Sequence, residues 1–179
     1  MKRLWKTLLW TAVAVLLTGV ILWAVVDHKR GTRWATAFVR GRFPEIRQIT
    51  TAGLQTKLQS PEPGQPRPVL LDARTGEEFA VSHLPGAVHL DVGKVTPEAL
   101  NRLSRQEEVI VYCSAGYRSC QLARKLEDQG FLKVWNLEGG LFAWANEGRK
   151  LHRGDQPVSE VHPYHPFFSR LLKPEIRQP

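Results

Sequence analysis

The chain has two cysteines, and both fall in one short stretch, YCSAGYRSC, Tyr112–Cys120. Cys113 ends a compact apolar run, VIVYC (Val109–Cys113), and is followed by a turn of small and polar residues that Arg118 closes. Gly116 permits a tight turn with positive φ. Consecutive backbone N–H groups in such a turn converge on an anion. A helix starting near Ser119 adds roughly half a positive charge at its N-terminus, pointing the same way. Arg118 adds a full, permanent one. This field favours the thiolate, the nucleophilic form of cysteine. The residue types therefore suit attack by Cys113 on an electrophile joined to an anion, or stabilisation of a charged adduct on its sulfur. Cys120, on the first turn of the helix, reads instead as a small buried hydrophobe.

Such a nucleophile must be held by a strand and a helix. VIVYC is a continuous Val/Ile run of the kind found in strands buried on both faces, as is VLLDA (Val69–Ala73), and VWNL (Val134–Leu137) resembles them. IRQIT (Ile46–Thr50) reads as a shorter strand, with Thr51 capping a brief helix through Leu58. Between the central and last runs, Ser119, Leu122, Ala123 and Leu126 share one helical face, and Gly130 is placed to end the helix. Val109–Leu137 is thus a βαβ unit, and the chain predicts an α/β fold around a doubly covered parallel sheet. Cys113 then stands at the carboxyl edge of a central strand, where open α/β sheets bind ligands. SPEPGQPRP (Ser60–Pro68), with its four prolines, predicts a loop.

The formal charge of +8 is unevenly spread. Residues 1–45 hold eight Lys/Arg and two acids, net +6; residues 46–179 hold 17 and 15, net +2. The near balance of the main domain excludes a nucleic-acid surface there. The N-terminal excess flanks Thr7–Val26, 20 residues without a charge. At about 1.5 Å per residue this length spans a ~30 Å hydrocarbon core. Trp5, Trp10 and Trp23 sit near its ends, as interfacial aromatics do. The run is longer than a signal-peptide core and is not followed by a small-x-small cleavage site, so it predicts an uncleaved single-pass anchor in the lipid bilayer. Three basic residues precede the span and five follow it, Lys29, Arg30, Arg33, Arg40 and Arg42. These counts leave the orientation open, with a lean toward a cytoplasmic C-terminal domain. Residues 27–45 read as a basic juxtamembrane linker. In the tail, Phe167, Phe168, Leu171 and Leu172 lie at helical spacing and predict an amphipathic segment packed back on the domain. His162 and His165 lack the clustered partners of a metal site and read as loop residues.

Three separated motifs, LLDARTGEEFAVSHLPGAVHLD (Leu70–Asp91), VYCSAGYRSCQLARKLEDQGF (Val111–Phe131) and VWNLEGGLFAW (Val134–Trp144), resemble the successive signatures of the rhodanese family. The resemblance covers residues 46–150. It implies a five-stranded parallel sheet with helices on both faces, here preceded by the transmembrane helix and followed by a tail at 151–179. It further implies a sulfurtransferase without a cofactor or metal. Cys113 would take sulfane sulfur from a small-molecule donor such as thiosulfate, hold it as a persulfide, and pass it to a thiol, cyanide or protein acceptor. Ser114, Ala115, Gly116, Tyr117 and Arg118 match the substrate-binding loop, with Arg118 placed to hold an anionic donor, and Ser119 opens the next helix. Asp72, Arg74 and Glu78 match a "D-x-R…E" signature, and His83, Pro85, Gly86 and Ala87 an "H-x-P-G-A" turn, both mainly structural in the family. Other readings are a rhodanese-fold phosphatase or arsenate reductase, or a non-catalytic module that binds a partner at the membrane. The loop from Cys113 to Arg118 spells C-x-x-x-x-R, one residue shorter than in the related phosphatases, and the smaller cradle suits a single sulfur better than a phosphoryl group.

Overall fold

The computed structural model describes residues 10–19, 28–59, 64 and 66–178. Residues 10–19 are helical (α1). There follow α2 (His28–Arg42), β1 (Gln48–Ile49), α3 (Thr51–Gln59), β2 (Val69–Asp72), α4 (Gly76–Val81), β3 (Val88–His89) and α5 (Pro97–Leu100). The central unit is β4 (Glu108–Tyr112), α6 (Tyr117–Asp128) and β5 (Lys133–Leu137), followed by α7 (Gly140–Asn146). A small antiparallel pair, β6 (Leu151–Arg153) and β7 (Gln156–Val158), leads to two 3₁₀ turns at Pro166–Leu171 and Pro174–Ile176.

The main sheet has five strands in the order β1-β5-β4-β2-β3, every pair parallel. The apolar runs became its three middle strands because each must bury both faces. β3, Val88–His89, carries no such run and is seen only in its parallel pairing with Leu71 and Asp72 of β2. Alternation along β4 divides the core. Val109, Val111 and Cys113 face a cluster containing Leu122, Ala123 and Leu126 of α6. Ile110 and Tyr112 face the opposite cluster, with Leu54 of α3 and Leu141, Phe142 and Trp144 of α7. This parity places Cys113 on the α6 side of the central strand.

Segments outside the predicted domain complete both cores. The stretch expected to be a linker forms the 15-residue helix α2. Val39 at its inner face and Phe43 and Ile46 just beyond it are buried in the α6-side cluster, and that burial turns a basic, aromatic-dotted stretch into ordered helix. Arg40–Glu138 and Arg124–Glu45 ion pairs bracket it. From the tail, Val161 and Leu172 are fully buried in the other cluster, while Phe167 stays exposed. The tail coils as 3₁₀ turns rather than an α-helix, with Pro166 and Pro174 at their starts. His162 Nδ1 and His165 Nδ1 accept backbone N–H groups of Tyr164 and Phe167 within this coil.

Two sequence expectations change in detail. Thr50, not Thr51, caps α3, its Oγ1 accepting the Gly53 N–H at 3.0 Å, while the Thr51 hydroxyl turns to Glu147 at 2.8 Å. The expected membrane span, residues 7–26, is described only over 10–19, where Val15, Leu16 and Leu17 are exposed; the rest lies outside the described residues. Among the described residues no helix is long and apolar enough to cross a membrane. Of the expected Ser60–Pro68 loop, residues 60–63 and 65 lie outside the described residues, and 66–68 have no regular structure.

Candidate active site

Cys113 leaves the carboxyl end of β4 as the chain turns into α6. Gly116 makes the turn at φ 105°, and a Cβ there would press on Asn136 Nδ2 at 3.4 Å. Its N–H donates to Cys113 Sγ at 3.1 Å. The Ser119 hydroxyl lies 3.4 Å from Sγ and 2.6 Å from Asn136 Oδ1, one proton between two acceptors. Asn136 Nδ2 donates in turn to Gln48 Oε1 at 2.6 Å, and Gln48 Nε2 stands 3.7 Å from Cys120 Sγ. A polar chain through β5 and β1 thus fixes the helix start behind Cys113.

The second turn pressed on this loop comes from Gly139 and Gly140. Gly140 has φ 58°, and a Cβ on it would fall 2.3 Å from the Cys113 carbonyl oxygen. Only glycine lets α7 start here, with the N–H groups of Leu141 and Phe142 donating to the carbonyls of Cys113 and Ser114 at 2.8 and 3.0 Å. The loop is therefore gripped from both the α6 and the α7 sides.

Arg118 does not face an open anion site. Its Nη1 and Nη2 donate to Glu78 Oε2 and Oε1 at 2.6 and 2.7 Å, and Nη2 also reaches Ser114 Oγ at 3.0 Å. Ser114 Oγ donates to Glu78 Oε1 at 2.8 Å. Burial by itself would raise the Glu78 carboxyl, but the hydrogen bonds and charge of Arg118, with Ser114 and the Thr75 N–H, outweigh it and hold Glu78 at about 2. Glu78 is therefore ionised, and the pair is electrically closed. For Arg118 burial opposes the charge, while Glu78 and the neighbouring Cys113 sulfur raise its value. The outer face of the guanidinium is covered by the Tyr164 ring at 4.3 Å.

A cavity of about 550 Å³ opens above Cys113. Ser114, Ala115 and Arg118 form part of its floor, and the exposed Tyr117 stands at its edge against Phe43 and Phe38. Its walls come from elsewhere: Trp34 and Phe38 of α2, Phe142 of α7, and Tyr164 and Phe168 of the tail. The two wall segments meet, since Thr32 Oγ1 stands 3.5 Å from the Leu171 carbonyl, 139 positions away. The Leu171 carbonyl also accepts Asn146 Nδ2 at 2.7 Å, and Asn146 Oδ1 accepts the Lys173 N–H at 2.9 Å. Cys120 lies below the floor, fully buried, and burial pushes its thiol up to about 12.

A family model described as the rhodanese-like domain matches residues 50–147. The chain belongs to the rhodanese-like domain family. Its rhodanese domain is 38% identical over 103 residues to YtwF of Bacillus subtilis (strain 168), covering 58% of this chain and 94% of that protein. It is 36% identical over 80 residues to a sulfurtransferase of Allochromatium vinosum, covering 45% of this chain and 74% of the other. Among solved structures, a rhodanese-like domain protein of Staphylococcus aureus superposes with a TM-score of 0.52 at 33% identity, covering 60% of this chain and 97% of that one. The wall residues Trp34, Phe38, Tyr164 and Phe168 all fall outside the matched residues.

The structure gathers Cys113, Ser114, Ala115 and Gly116 in one turn and Tyr117, Arg118 and Ser119 on the first turn of α6, which starts two residues before Ser119. It adds Glu78, a mainly structural member of the "D-x-R…E" signature in sequence, which forms a capping box with Thr75 at the start of α4. The same carboxylate continues past the cap to the active-site loop, and only the fold brings that loop within reach. The signal for the walls is present as aromatic residues in both flanking segments, but nothing in their spacing ties them to Cys113.

Proposed function

We propose that this protein is a membrane-tethered sulfurtransferase that carries sulfane sulfur as a persulfide on Cys113. The observation that carries the reading is the placement of Cys113 Sγ: at the mouth of the cavity floor, 3.1 Å from the Gly116 N–H and at the N-terminus of α6. The Cys113 thiolate attacks the outer sulfur of a donor such as thiosulfate. The donor S–S bond breaks, sulfite leaves with the electron pair, and a Cys113 persulfide remains. An acceptor thiolate or cyanide then attacks that outer sulfur, and Cys113 Sγ departs with the pair as thiolate. The loop N–H and the helix N-terminus stabilise the negative sulfur at each end of the cycle. The similarity to proteins named sulfurtransferases supports this chemistry. Arg118, bound to Glu78 rather than turned into the loop, is not arranged to hold the equatorial oxygens of a phosphoryl group, which disfavours phosphate chemistry.

The tether is the uncharged Thr7–Val26 segment, and its basic flanks leave the orientation open with a lean toward a cytoplasmic domain. The protein should stay with membranes through high-salt and carbonate washes, and release by salt would reject the span. For the chemistry, the chain is exposed in parallel to thiosulfate and to tetrasulfide. Mass spectrometry should find one added sulfur on Cys113, removed by cyanide as thiocyanate, and Cys113→Ser should show neither adduct nor turnover. Loading from tetrasulfide alone would keep Cys113 as carrier and remove thiosulfate as donor. Undiminished turnover in Cys113→Ser would falsify the mechanism.

A further inference from the structure

The cavity over Cys113 has a character that persulfide chemistry by itself does not require. Cyanide, or the terminal sulfur of a small anion, needs only the loop. The space above it, about 550 Å³, is of a size that holds an organic molecule. Its walls and edge carry six aromatic rings: Trp34, Phe38, Tyr117, Phe142, Tyr164 and Phe168. The cation on its floor, Arg118, is closed by an ionised Glu78 on one side and by the Tyr164 ring on the other. Arg30 and Arg33 border a separate depression on the outer side of Trp34 and Phe38. A charged body entering this cavity would lose hydration without gaining an opposite charge. An apolar body would lose only unfavourable contact with water. Trp34 and Phe38 are 79% and 64% exposed, so this apolar surface stands open in the absence of a ligand.

We propose that the sulfur acceptor at Cys113 is an organic thiol with an uncharged, apolar or aromatic body. This rests on Cys113 acting as the persulfide carrier and names the substrate class of that same site. The acceptor's body lies among the rings of α2 and the tail, and its sulfur reaches the outer sulfur of the Cys113 persulfide. Its thiolate attacks that sulfur, the bond to Cys113 Sγ breaks, the electron pair returns to Sγ, and the acceptor leaves as an organic persulfide. No external oxidant or reductant enters. Four of the six rings, Trp34, Phe38, Tyr164 and Phe168, lie outside residues 50–147, so the selectivity they add belongs to this chain rather than to the rhodanese domain as such.

The test uses the full chain in lipid nanodiscs, loaded with sulfur by tetrasulfide. Loading and cyanide discharge are verified on each sample by mass. Single-turnover discharge is then timed with 2-phenylethanethiol and with 2-mercaptoethanesulfonate. The ratio of the two rates is compared between the wild type and two variants, Phe38→Ser and Tyr164→Ser, so that partitioning of the thiols into lipid cancels. The wild type should favour the phenyl thiol at least tenfold more than either variant does. A ratio that is the same in all three proteins, or a wild-type preference for the sulfonate, overturns the inference while a loaded, cyanide-dischargeable Cys113 keeps the sulfurtransferase reading intact. Failure of Cys113 to load from any donor removes that reading, and this inference with it.

Discussion

The floor of the cavity and its walls are built by different means. The floor is polar and tightly fixed: Glu78, Ser114 and Arg118 form a closed hydrogen-bonded set, Gly116 turns the loop at positive φ, and Gly140 lets backbone touch backbone beside Cys113. Everything in it comes from residues within the matched domain. The walls are apolar and partly exposed, and apart from Phe142 of α7 their rings come from α2 and the tail, which reach the site only by burying Val39, Phe43, Val161 and Leu172 in the two cores. A floor held by short polar contacts fixes one geometry for the sulfur. Walls held by side-chain packing vary in shape without disturbing it. On the proposed reading, the division separates what performs the transfer from what chooses its partner.

The sharpest way to break the floor is Gly140→Ala. The new methyl would need a left-handed backbone and would meet two carbonyl oxygens of the loop. Strain and overpacking together should lower stability by about 2–5 kcal/mol and strip most sulfur transfer from whatever folds. Chemical denaturation and cyanide-dependent thiocyanate release measure both, and near-wild-type activity would mean that the α7 contact does not shape the loop.

Glu78→Gln tests the charge within the floor. Glu78 sits at about 2 against an ordinary 4.5, a difference equivalent to about 3 kcal/mol at neutral pH. Its folded value is depressed, so that contribution is complete above pH 4.5 and disappears as pH falls toward 2. The variant should be less stable by this amount at pH 7, and the two stability curves should converge on acidification. Parallel curves from pH 7 to 3 would show that the Glu78–Arg118 pair does not stabilise the fold.

The walls should respond more weakly. Tyr164→Ala removes the ring over Arg118 and should reduce stability by about 1 kcal/mol. The Glu78–Arg118 pair should survive it, so the acid dependence just described should persist unchanged in the variant. Loss of that dependence would merge wall and floor into one unit.

The smallest effect belongs beneath the floor, at Cys120. A thiol held at about 12 is protonated at neutral pH and is a poor attacking group. Cys120→Ala should keep turnover within about twofold, a change too small for a residue that resolves the persulfide. A Cys113–Cys120 disulfide formed during turnover, with cycling lost in the variant, would give Cys120 that role instead.

Much of the floor is legible in the chain's local patterns. Apolar runs that must be buried on both faces announce β2, β4 and β5. The glycine turn between β4 and a periodic helix announces the position of Cys113. These are local signals, because strand burial, helix periodicity and turn conformation are decided by residues close in sequence. Arg118 shows where locality stops. Its type and place in the loop suggest a free cation, whereas Glu78, 40 positions earlier, claims it. In sequence Glu78 belongs to the "D-x-R…E" signature as a structural residue, and its contact with the loop of Cys113 is hidden there.

The sequence by itself determined the class of fold, the glycine turn that carries Cys113, and the charge asymmetry that separates the N-terminus from the domain. Each follows from patterns within a few residues or from composition. The tertiary structure alone decided that a basic stretch is the helix α2, that the tail coils against it, and that their aromatic rings stand over Cys113. Those contacts join positions as far apart as Thr32 and Leu171. Chain entropy opposes such closures, and only burial in a core already formed by the sheet offsets it. The encoding of the walls is therefore spread over both ends of the chain and the sheet between them, and no short stretch carries it.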